Sequence, residues 1–131
     1  MNTFTDYIGR AANQLTGNVP GLMMIRGASS YENIVWNMDL KPEGVTIPTE
    51  YEITNTAKQF LADEAMNRLR NHRDILLSKC DWTQGADSPL SDESKANWAT
   101  YRQQLRNLPS TAEPTLDGPF ISNVDWPVPP Q

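Results

Sequence analysis

The sequence has little cysteine and no excess of basic charge, and each shortage excludes a class of protein. A single cysteine, Cys80, cannot build a disulfide scaffold, and it favours a reducing compartment such as the cytoplasm. Eleven basic residues face 16 acidic ones, and the net charge of -5 argues against nucleic acid or an anionic membrane as partner. No apolar run approaches the roughly 18 residues of a membrane-spanning helix.

Apolar residues are also scarce, whereas proline is concentrated at one end. Apolar types make up 38% of the chain, below the usual level of about 45–50%, which predicts a small core. Six of the ten prolines lie among the last 23 residues. Proline lacks the backbone N–H that a helix interior needs, so residues 109–131 are predicted to form an extended Pro-rich tail.

The first third of the chain predicts short elements. Apolar residues from Phe4 to Leu15 recur at helical spacing, with Thr3 as a candidate N-cap and Gly17 as a stop. Apolar runs at residues 22–25 and 31–36 each predict a short strand.

A long helix is predicted next. Thr49 and Glu52 have the spacing of a capping box, and no glycine or proline interrupts residues 50–80. The apolar residues of this helix are expected to share one side of it, except for Phe60, which projects toward the polar side. The apolar stripe of this helix, at about 100° per residue, comprises Ala57, Leu61, Ala65, Leu69, Leu76 and Cys80.

A second helix is predicted between Ser91, a candidate N-cap, and Pro109, which ends it. Trp98, Tyr101 and Leu105 share one face of this helix. Two helices joined by roughly 10 residues predict an antiparallel helical hairpin. The sequence thus indicates a mainly α protein with three parts: an N-terminal arm with a short helix and strands (residues 1–47), the helical hairpin (48–108) and the extended tail (109–131).

Four ordered motifs resemble those of the phage tail assembly chaperones, also called tail fibre assembly proteins, and one of them is Pro89-Leu90-Ser91 before the second helix. Residues 73–84, R-D-I-L-L-S-K-C-D-W-T-Q, resemble the family pattern R-D-x-L-L-x-x-x-D-W-T-Q. Residues 98–106 are similar to W-x-x-Y-R-Q-x-L-R, and residues 124–127 to V-x-W-P. The resemblance is good over residues 73–127 and loose over 31–72.

The resemblance implies a chaperone that acts in the host cytoplasm and binds a phage tail or tail-fibre structural protein without catalysis. A permanent virion component, such as a fibre, collar or baseplate adaptor, is the alternative. The unmatched residues 1–30 favour that alternative, since they have the character of a docking arm. A homo-oligomer also remains open.

Five residues are candidates for partner binding: Trp82, Trp98, Tyr101, Arg102 and Trp126. Trp82 follows the first helix, where its ring is expected to cover both apolar stripes. Trp98 and Tyr101 are expected to face the first helix, and Arg102 to reach backbone carbonyls or acidic groups of the tail. Trp126 is a large apolar anchor that can dock either on the hairpin or on another chain.

The sequence offers no catalytic residue, metal ligand set or cofactor motif. His72, the only histidine, has no second ligand or nucleophile at a useful spacing, and we expect it to be packed or to face a partner. Cys80 lacks the neighbours of a cysteine nucleophile and is predicted to be a small hydrophobic residue at the helix end.

Overall fold

The computed structural model describes residues 7–131, and within this range the chain is mainly α, as predicted. Two two-stranded antiparallel sheets accompany the helices. The elements in chain order are α1 (Ile8–Leu15), β1 (Met23–Ile25), β2 (Ile34–Trp36), α2 (Glu50–Lys79), α3 (Asp92–Asn107), β3 (Thr115–Asp117) and β4 (Phe120–Ser122).

The chain divides into two compact units, and the boundary falls inside α2. The first unit ends at Asp63 and the second comprises Glu64–Gln131. This boundary differs from the predicted divisions after residues 47 and 108, because Ile53 and Ala57 of α2 belong to the core of the first unit.

The core of the first unit consists of α1 packed against the start of α2. Its buried residues are Ile8, Ala11, Ala12, Ile53 and Ala57. Helix α1 ends before Gly17, whose φ of 81° is a conformation that glycine adopts without a steric penalty. The predicted contributions of Thr3 and Phe4 lie outside the described residues.

Phe60, the exception to the apolar stripe, packs against this core. The guanidinium carbon of Arg10 lies 4.2 Å from the centroid of its ring, within the range of a cation–π contact. Phe60 therefore contacts Arg10 of α1, although its position in the sequence predicted that it projects toward the polar side of α2.

The strand predicted over residues 31–36 is shorter than expected. Only Ile34–Trp36 form β2, which pairs with β1 in the register Met24↔Val35, whereas Tyr31–Asn33 form a 3₁₀ turn. The Asn33 side-chain amide donates to the Ala28 carbonyl over 2.8 Å, so this residue closes the loop before the strand begins. A local side-chain bond of this kind competes with strand pairing.

Helix α2 begins with the predicted capping box. The Glu52 amide donates to Thr49 Oγ1 over 3.2 Å, and the Thr49 amide donates to Glu52 Oε2 over 2.8 Å. Ala57, Ala65, Leu69 and Cys80 of the predicted stripe are buried, while Leu61 and Leu76 are half-buried.

In the second unit, α3 packs against the last turns of α2. Ser91 caps α3 by accepting a hydrogen bond from the Ser94 amide over 3.1 Å, as predicted. Cys80, Tyr101 and Leu105 form the buried cluster, and the partly buried side chains around it are Leu76, Leu77, Trp98 and Trp126. Contact between the two helices is thus established, and their antiparallel course remains a prediction.

The tail is not extended throughout, which corrects the prediction for residues 115–122. Strands β3 and β4 form a hairpin with the register Leu116↔Ile121 and a two-residue loop, Gly118 and Pro119. Gly118 supplies a positive φ of 58° at the first loop position, as a type II′ turn requires. Pro119 at the second position needs no ladder N–H, so proline does not oppose this hairpin.

Leu69 is fully buried on α2, so truncating it should leave a cavity. We expect Leu69→Ala to lower the free energy of unfolding by about 2–5 kcal/mol, measured by urea unfolding followed by circular dichroism. Ile75→Ala on the same helix is the matched control, because Ile75 is 53% exposed. Equal effects of the two substitutions would contradict the assignment of Leu69 to the core.

Candidate partner-binding groove

An open groove of about 330 Å³ lies in the second unit, between α2 and the tail. Helix α2 lines it with Arg68, Asn71, His72 and Ile75. The β3–β4 hairpin and the segment after it line the other side with Pro119, Phe120, Ile121 and Trp126.

Two contacts attach the tail to α2 and so create this groove. In the first contact, Arg68 Nη1 donates to the Gly118 carbonyl over 2.7 Å. The same guanidinium is held within α2, where Arg68 Nε donates to Glu64 Oε1 over 3.0 Å. The rings of His72 and Trp126 meet edge to face with 4.6 Å between centroids. The α2 side chains therefore hold both the hairpin turn and the tail tryptophan.

Two side-chain hydrogen bonds brace the hairpin itself. Ser122 Oγ donates to Asp117 Oδ2 over 3.0 Å, and Asn123 Nδ2 donates to the Glu113 carbonyl over 2.9 Å. These bonds matter because a two-stranded hairpin is marginally stable without additional support.

The groove displays apolar side chains to solvent. Phe120 is 73% exposed and Ile75 is 53% exposed. Trp126 is half-buried, with its inner side packed against the cluster of Cys80, Tyr101 and Leu105. Large exposed apolar side chains that lie side by side are typical of sites that bind another protein.

Of the predicted site residues, Trp126 lies in the groove and Trp82 does not line it. The expectation that the Trp82 ring covers both stripes is wrong, because this side chain is 55% exposed. Thr83 is the buried residue of that turn, and its hydroxyl donates to the Cys80 carbonyl over 2.6 Å. A role for Trp82 in partner binding remains a prediction.

Trp98 and Tyr101 pack against each other, with ring centroids 5.7 Å apart and an angle of 81° between the rings. Tyr101 is only 5% exposed, so its ring is part of the core of the second unit. Burial, with a smaller contribution from Cys80, raises the pKa of the Tyr101 hydroxyl. Partner contact at these two residues stays a prediction, and half-buried Trp98 is the more accessible of them.

Arg102 reaches backbone carbonyls, as predicted, but its acidic partner is not in the tail. Its Nη1 donates to the Leu77 carbonyl over 2.8 Å and to Cys80 Sγ over 3.1 Å, while Nη2 donates to Asp81 Oδ1 over 2.8 Å. Burial lowers the pKa of Arg102, but the bonds to Cys80 and Asp81 outweigh it and raise the pKa above its usual value. The guanidinium thus joins α3 to the end of α2, which leaves little of it for a partner.

Six residues of the groove were not predicted to bind a partner: Arg68, Asn71, Ile75, Pro119, Phe120 and Ile121. A signal for Phe120 exists in the sequence, because a Gly-X pair such as Gly118-Pro119 is typical of the two-residue loop of a type II′ hairpin. No comparable signal exists for Arg68, whose partner carbonyl lies 50 positions away in the chain.

The structure places His72 in the lining of the groove and Cys80 directly after the end of α2. His72 is exposed and contacts Trp126. Cys80 is 3% exposed, and its thiol lies 3.3 Å from the Leu76 carbonyl oxygen. Within residues 7–131, no group of three or more potential metal ligands comes together, and no helix is long and apolar enough to cross a membrane.

Comparison with known protein families gives one finding. Residues 66–131 match the family described as "Phage tail assembly chaperone protein". The match starts within α2 and covers nearly the whole second unit, including every residue that lines the groove. Neither curated proteins nor solved structures give a match.

The three bonds of Arg102 should contribute measurably to stability. Because lysine cannot reproduce the planar fork, we expect Arg102→Lys to cost about 1–3 kcal/mol in urea unfolding. Arg106→Lys is the matched control one turn along α3, since Arg106 is exposed and, among residues 7–131, its side chain bonds Gln103 alone. Equal costs for the two substitutions would show that the Arg102 bonds do not join α3 to α2.

Proposed function

Since the chain belongs to the phage tail assembly chaperone family, we propose that it binds a phage tail or tail-fibre structural protein through the groove of its second unit. The chaperone acts in the host cell during assembly. The observation that carries the proposal is the exposed pair Ile75 and Phe120 beside Trp126, inside the segment that matches the family.

The proposed mechanism is the temporary shielding of apolar surface. An unassembled structural protein exposes apolar side chains that its neighbours will later cover, and these side chains drive aggregation. Side chains that enter the groove exchange water for Ile75, Phe120 and Trp126. Burial of one large apolar side chain contributes about 1.5–3 kcal/mol, which corresponds to roughly 10- to 100-fold in affinity.

We propose that this binding is not accompanied by catalysis. Of the groove residues, His72 is a possible general base, and its ring is engaged by Trp126. The groove lining contains no serine, cysteine or threonine that His72 could activate. Binding and release of an apolar segment is therefore the activity that these side chains support.

A permanent place in the virion is the second candidate, and the observation that favours it is the first unit. That unit has a core of its own and lies outside the matched segment, so it provides a further module for attachment. Mass spectrometry of purified virions separates the two functions. A chaperone should be absent or substoichiometric, whereas a structural component should be present in a fixed copy number.

Phe120 is the most exposed large hydrophobic side chain of the groove, so its removal should weaken binding without unfolding the protein. We expect Phe120→Ala to reduce the affinity for the co-expressed tail or tail-fibre protein by about 10-fold or more, measured by calorimetry on the purified pair.

Val128→Ala is the matched control, because Val128 is 82% exposed in the same tail but does not line the groove. Circular dichroism should show unchanged helicity for both variants. Wild-type affinity of Phe120→Ala, with full binding by the unmodified chain, would place the partner elsewhere on the protein.

A further inference from the structure

The floor of the groove is a stripe along α2 that continues past the groove itself. Residues 68, 72, 75 and 79 recur at helical spacing and share one side of the helix. Lys79 therefore lies one turn beyond Ile75, about 6 Å further along the helix axis.

The charges of this stripe are of one sign. Arg68 at one end is engaged by Glu64 and by the Gly118 carbonyl. Lys79 at the other end is exposed and forms no ion pair with any described residue. No aspartate or glutamate lines the groove, although the whole chain carries a net charge of -5. The groove is thus complementary to a ligand that is apolar at Ile75 and anionic at Lys79.

We propose that the occupant is an extended segment of the partner with an apolar residue and an acidic residue two positions apart. This inference rests on the proposed function and specifies the segment that the groove selects. In an extended chain, residues i and i+2 point to the same side and lie about 6.6 Å apart. That spacing matches the axial distance from Ile75 to Lys79, so the apolar side chain meets Ile75 and Phe120 while the carboxylate meets Lys79.

Three blocked peptides test this specificity on the full chain: Asp-Ser-Leu-Ser-Asp, Asn-Ser-Leu-Ser-Asn and Lys-Ser-Leu-Ser-Lys. Their symmetry allows either chain direction in the groove. Binding is followed by NMR through the amides of Ile75 and Phe120 and the Trp126 indole N–H. We expect the Asp peptide to bind about 2- to 5-fold more tightly than the Asn peptide at low ionic strength, as one exposed ion pair permits. Added salt should remove the difference.

Reversing the charge at Lys79 is the decisive part of the experiment. Lys79→Glu should prefer the Lys peptide over the Asp peptide. Arg70→Glu is the matched control, because helical spacing places this exposed arginine on the other side of α2, and it should keep the wild-type preference.

Several outcomes overturn the proposal. The wild-type protein would bind the Asp and Lys peptides equally well, or the Lys79→Glu variant would still prefer the Asp peptide. A third such outcome is that millimolar peptide shifts none of the groove signals. Concentration-dependent shifts of those signals without peptide would make a second copy of this chain the occupant. Failure of the peptides while the tail protein still binds would reject this segment and leave the proposed function intact. Failure of both would reject the function as well.

Discussion

The attachment of the C-terminal tail to α2 is the constraint on which the candidate site depends. Arg68 holds the turn of the β3–β4 hairpin through the Gly118 carbonyl, and His72 meets the ring of Trp126. Without these contacts, Pro119, Phe120 and Ile121 would have no wall opposite them and the groove would not exist. A partly buried arginine bonded at once to a carboxylate and to a carbonyl is well suited to this role, because its donors are fixed in one plane.

The attachment also explains how a tail rich in proline becomes ordered. Proline donates no backbone hydrogen bond, so such a segment needs side-chain contacts or a surface. Trp126 provides the surface contact by packing against the cluster of Cys80, Tyr101 and Leu105. Arg102 stabilises the same region from α3 through the Leu77 carbonyl. Groove and core of the second unit are therefore built from adjoining side chains, and both lie in the segment that matches the family.

Features set by neighbouring residues were predictable from the sequence. The caps at Thr49 and Ser91, the long helix and the burial of Leu69, Tyr101 and Leu105 follow from local spacing, and the structure confirms them. The resemblance carried by residues 73–127 lies within the family match.

The sequence analysis missed one local feature and several that depend on distant residues. The β3–β4 hairpin is local, but the prolines of the tail predicted an extended chain, although Pro119 occupies a turn position where it is harmless. Neither Arg68 nor Ile75 was predicted to bind a partner, since the tail residues that line the groove with them are more than 40 positions away in the chain. The ring of Trp82 was expected to cover both apolar stripes, whereas this side chain is 55% exposed and the smaller Thr83 fills the buried position.

The nuclear Overhauser effect between the His72 ring and the Trp126 indole tests the central claim most directly. With ring centroids 4.6 Å apart, the account predicts clear cross-peaks between these two side chains in the free protein. It also predicts that Arg68→Ala, which removes the bond to the Gly118 carbonyl, weakens them. Absence of the cross-peaks, with Trp126 resonances like those of a short unstructured peptide, would contradict the account, because an undocked tail leaves no groove to bind a tail protein.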